Sequence, residues 1–163
     1  MTCALRVFAQ HASDRVDIDA WNAHAERFFA TRIGLADAPS PLAAGPDYKS
    51  DARPGLLSTR PVRFVVAPQH GSPGIRAASV RVREPEDLVL AEQADAPVGP
   101  TGLVRLARRC EAVWLVERLD PSDTLGLRLA TILASVLLGP ILDPDSQSLF
   151  GVKTARAKIE AAR

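Results

Sequence analysis

Residues 112–144 read AVWLVERLDPSDTLGLRLATILASVLLGPILDP, and this stretch decides the fold. Ala112 to Val116 has no polar side chain, the pattern of a strand covered on both faces. Asp120, Pro121, Ser122 and Asp123 break that strand and supply a cap for the next helix. From residue 122 to 138 the chain is apolar nearly all round, as in a helix buried in a core or shared with a second subunit. Gly139 and Pro140 end it, and Ile141 and Leu142 form a short strand closed by Asp143 and Pro144. Strand, helix and strand in this order predict a right-handed parallel crossover. Gly126, Ala130 and Ala134 repeat every fourth residue along the helix, a smooth strip for close packing or for a partner. Arg128, Thr131 and Ser135 make a narrow polar line beside it.

On the N-terminal side, Cys3 to Phe8 reads as a first strand. Asp17 or Asp19 then caps an amphipathic helix with Ile18, Trp21, Ala25, Phe28, Phe29 and Ile33 at helical spacing, and Gly34 is its expected stop. Residues 36–61 carry five prolines, Pro61 included, and two glycines without periodicity, so they predict a long Pro-rich loop. Val62 to Ala67 and Ile75 to Arg83 read as an antiparallel hairpin around PQHGSPG. Arg81 and Arg83 alternate with Val80 and Val82, which leaves one side of that second strand wet. Pro85 to Gln93 and Thr101 to Arg109 read as short helices. A C-terminal helix is expected from Leu149 to about Ala161.

The expected fold is therefore α+β or α/β. It is a single domain over residues 1–163, with a mixed sheet of about five strands, a central buried helix at 122–138 and flanking helices. The 163-residue length suffices for a core without disulfides or metal. Seventeen of the 20 basic residues are Arg and only Lys49, Lys153 and Lys158 are Lys, a usage that points to a GC-rich bacterial genome. The formal net charge of +1 argues against nucleic acid and against an anionic membrane surface as partners. The charge-free run Leu129–Leu142 is 14 residues long, and a membrane span needs about 20. The opening residues lack a basic leader with a long apolar core, and Cys3 and Cys110 stand apart as two reduced thiols, so a cytoplasmic protein is expected.

Three sets of residues are candidates for chemistry. Glu117 and Asp120 after one strand, with Asp143 and Asp145 after the next, would hold a divalent cation or supply a base if both loops opened on one side. Asp-Pro turns and capping are the competing explanation. His70, beside Ser72 in the hairpin turn, could join such a site, whereas His11, His24 and His70 lack the spacing of a helical metal site. Arg105, Arg108 and Arg109, with Arg81, Arg83, Lys153, Arg156 and Lys158, offer an anionic-ligand patch or simply a solvated face. Asp14, Asp17 and Asp19 lack the glycine and terminal Glu of a calcium loop. No phosphate-binding, dinucleotide-binding, nucleophile-elbow or zinc-helix motif occurs, and neither metal nor cofactor is expected. These features favour a non-catalytic interaction, adaptor or accessory domain with a protein partner or a second copy of itself. The alternative is a metal-assisted hydrolase or nuclease using the strand-end acids.

Overall fold

One seven-stranded sheet organises the computed structural model, which describes residues 4–36, 60–97 and 101–162. The chain runs β1 (Leu5–Ala9), α1 (Ile18–Phe29), β2 (Thr31–Leu35), β3 (Val62–Pro68), β4 (Gly74–Val82), α2 (Pro85–Asp95), α3 (Leu103–Arg109), β5 (Ala112–Val116), α4 (Thr124–Leu137), β6 (Ile141–Asp143), β7 (Ser148–Phe150) and α5 (Val152–Ala161). The strand order is β2-β3-β4-β5-β1-β6-β7, and every neighbouring pair is antiparallel. The fold is α+β, with seven strands rather than about five. Most of residues 36–61, expected as a Pro-rich loop, and Cys3 lie outside the described residues.

β5 and β6 both run antiparallel to β1, so they are parallel to each other with β1 inserted between them. The crossover through α4 therefore arches over the N-terminal strand. Alternation along the strands divides the core in two. Val7, Ala9, Phe64, Val66, Val80, Trp114 and Ile141 face α1, α4 and α5. Phe8, Val113 and Leu142 face α2 and α3. Trp114 is fully buried and meets Trp21 edge to face, with ring centroids 6.0 Å apart at 73°. Its indole N–H has no hydrogen-bond acceptor among the described residues, and the ring is held by apolar and aromatic packing.

Two elements differ from the sequence expectation. The first helix ends at Phe29, not at Gly34, because Ala30 takes a left-handed conformation (φ 47°) and caps it through its N–H to Ala25 O. Ile33, spaced as if helical, sits instead in edge strand β2 opposite Val66. Ser148–Phe150 forms the other edge strand before the C-terminal helix opens at Val152, not Leu149. α4 is close to its expected span: Asp123 accepts hydrogen bonds from the Leu125 and Gly126 N–H groups at the start, and Leu138 adopts φ 58° at the end. The small-residue strip faces inward. A Cβ on Gly126 would lie 2.8 Å from Glu117 O, and Ala130 and Ala134 are buried in the larger core. The polar line meets α1 and the start of β2, with Ser135 Oγ 2.7 Å from His24 Nε2 and Arg128 Nη1 donating to Thr31 Oγ1 at 3.2 Å.

Candidate functional site

The two acid-ended loops do open at the same end of the sheet, because β5 and β6 are parallel. Between them stands Arg118, which the sequence reading did not single out. It is buried, and its Nη1 and Nη2 donate to Asp143 Oδ2 and Oδ1 at 2.9 and 2.8 Å, with a further bond from Nη2 to Asp145 Oδ2 at 2.6 Å. A bidentate guanidinium–carboxylate pair is the strongest neutralisation a protein offers a buried acid. Burial alone would lift the Asp143 pKa, but hydrogen bonds from Arg118 and Ser146 outweigh it and hold the carboxyl below its ordinary value. The cation these acids hold is a side chain of the same protein.

The other acids of the set are engaged locally. Glu117 Oε2 accepts from the Ala77 N–H at 2.9 Å, extending the β4–β5 ladder with a side chain. Asp120 accepts from the Ser122 N–H at 2.7 Å in a turn. Asp123 receives Arg76 Nε and Nη2 at 2.7 and 2.9 Å while capping α4. His70 is exposed in the turn between β3 and β4. Among the described residues, no three His, Cys, Asp or Glu side chains converge as metal ligands.

The expected basic patch is divided by the sheet. Arg105 and Arg108 border an open cavity of about 590 Å³ beside Glu92 and Asp95, and Arg108 pairs with Glu92 at 2.6 Å. Arg109 is exposed at the end of the same helix. Arg81 is committed to the fully buried Asp87, with Nη1 at 2.6 Å and Nη2 at 2.7 Å, and Arg6 joins the same carboxylate at 2.7 Å. Arg83 Nη1 donates to the carbonyls of Ala107, Arg108 and Cys110, closing the C-terminal end of α3. Lys158 lies over the Phe150 ring and Arg156 over Phe29, both on the opposite side of the sheet. Burial pushes the Cys110 thiol up to about 11, so it is inert at neutral pH.

The described residues leave one sheet face partly open. α2 and α3 cover β1, β5, β6 and β7, and the core they form contains no described residue of β2, β3 or β4. On that other half, Val65, Ala67, Ala77 and Ser79 are half-buried and Ile75 is 43% exposed. A shallow cavity of about 510 Å³ lies there, bordered by Ala4, Pro61, Ala77, Leu115 and Glu117. Arg63 is the register partner of Ala77, and Glu117 binds Ala77 from the other side through its backbone N–H (2.8 Å) and its carboxylate. The row across the face thus reads cation, methyl, anion. The sequence signal for it was Arg63 and Glu117 themselves, but only strand register aligns them. No helix among the described residues is long and apolar enough to cross a membrane. No protein-family model, curated protein or solved structure matches the chain.

Proposed function

We propose that this chain is a non-catalytic interaction module of the bacterial cytoplasm, and that the half-covered face of its sheet docks a second copy of itself. The observation that carries the reading is the uneven cover: α2 and α3 shield one half of the face, and no described helix covers the apolar other half. A sheet normally buries its apolar face against another layer, and association supplies such a layer where no described element covers the face.

The charge row supports self-association over a foreign partner. A two-fold axis lying above Ala77 and parallel to β4 would bring Arg63 of each copy over Glu117 of the other, since the two charges flank Ala77 on opposite sides. An isologous contact needs such a self-complementary patch. The Arg-rich composition and the buried, unpaired Cys110 support the bacterial and cytoplasmic parts of the reading.

Size-exclusion chromatography with light scattering tests it. A dimer is expected, with Ile75→Glu converting it to a folded monomer. A wild-type monomer at its highest soluble concentration, or a dimer indifferent to Ile75→Glu, would overturn the assignment.

A metal-assisted hydrolase or nuclease using Glu117, Asp120, Asp143 and Asp145 has less behind it. Arg118 already stands between Asp143 and Asp145, while Glu117 and Asp120 are engaged by Ala77 and Ser122.

A further inference from the structure

A second cavity, of about 320 Å³, opens on the other side of the sheet where the end of α1 meets α4 and α5. Its polar groups are unlike those of the acid loops. Arg128 from α4 is 8% exposed and lines the cavity, with Nη1 anchored on Thr31 Oγ1. Arg156 from α5 lies with its guanidinium carbon 5.7 Å from the Phe29 ring centroid, and Arg27 lies 5.1 Å from that of Phe28. Arg128 is engaged within the protein, so the cations facing the cavity are Arg27 and Arg156; against them stand Glu26 and Glu160, and Glu26 is paired to Arg32 at 3.0 Å.

We propose that this cavity binds a small monocarboxylate with an apolar or aromatic body. A guanidinium held over an aromatic ring can still fork its N–H groups onto a carboxylate. Phe28, Phe29 and Ile159 offer the apolar wall such a ligand needs, and the volume is at the lower end of small-molecule sites. Glu160 and the carbonyl end of α1 limit the anionic charge the cavity accepts, which favours a single carboxylate over phosphate. This site is independent of the sheet face proposed for self-association.

Benzoate is the probe, with benzamide as its neutral isostere and inorganic phosphate as a second anion, each titrated calorimetrically and by NMR into the full chain. Saturable benzoate binding is expected, weakened about fivefold or more by Arg156→Gln and by raised salt. Benzamide and phosphate should bind at least about tenfold more weakly. Arg156 is exposed, so its substitution leaves the fold intact. Absent benzoate binding, equal benzamide or phosphate binding, or an Arg156→Gln protein with unchanged affinity would each overturn the proposal.

Discussion

Arg118 grips Asp143 with both terminal nitrogens, at 2.9 and 2.8 Å, and so ties the end of β5 to the end of β6 across the intervening β1. Removing one partner of a buried pair strands the other charge. Asp143→Asn should therefore cost about 3 kcal/mol in urea unfolding. Asp145 is 26% exposed and bonds the same guanidinium from the rim, so Asp145→Asn should cost about 1 kcal/mol. Arg118→Met combined with Asp143→Leu should be less damaging than Asp143→Asn alone, because no buried charge is left behind.

Asp87, Asp123 and Asp143 share one titration behaviour. For each, burial would raise the pKa, and hydrogen bonds from Arg81, Arg76 and Arg118 respectively lead the interactions that hold it below the ordinary value instead. A carboxyl depressed on folding stabilises the native state above its unfolded pKa, about 3.9, and that stabilisation is lost as pH falls through the lower folded pKa. Stability should stay level from neutral pH to about 5 and fall steeply below about 4. Asp87→Asn should lower stability at neutral pH and flatten the acid limb, as read from unfolding midpoints across pH.

Gly139 joins α4 to β6 where the chain passes over Phe8. A Cβ there would lie less than 2 Å from Phe8 O, and that oxygen is backbone of the central strand. Gly139→Ala should destabilise by about 3 kcal/mol or more, through displacement of β1 rather than through backbone dihedral preference. Thermal unfolding of the variant checks it, with Gly34→Ala, where the added Cβ meets nothing within 4 Å among the described residues, as the permissive control.

The charge row on the open face makes a reciprocal prediction. Arg63→Glu or Glu117→Arg alone should weaken the dimer about tenfold through like-charge contact across the axis. The double exchange should restore association, and sedimentation equilibrium on the three proteins reads the coupling directly.

The organising stretch was legible because its physics is local: an all-apolar strand, an Asp cap and a Gly-Pro stop each announce themselves. Edge strand β2 was not, since the turn that precedes it rests on a left-handed alanine, and Ile33 happens to continue the helical spacing of Phe29. β7 has three residues and no alternation to read. The acid loops were visible as acids, but their partner was a lone Arg118 after a buried strand. Only the parallel course of β5 and β6 reveals that Asp143 meets it.

The position of β1 has a consequence for synthesis. β1 leaves the ribosome before either strand it pairs with, Ala112–Val116 on one side and Ile141–Leu142 on the other. It must stay unpaired until more than a hundred further residues exist, a topology of distant contacts that folds slowly and exposes a strand in waiting. A nascent chain stalled before residue 112 would present LRVFA with both edges bare. This protein's most aggregation-prone moment therefore belongs to its birth rather than to its native state.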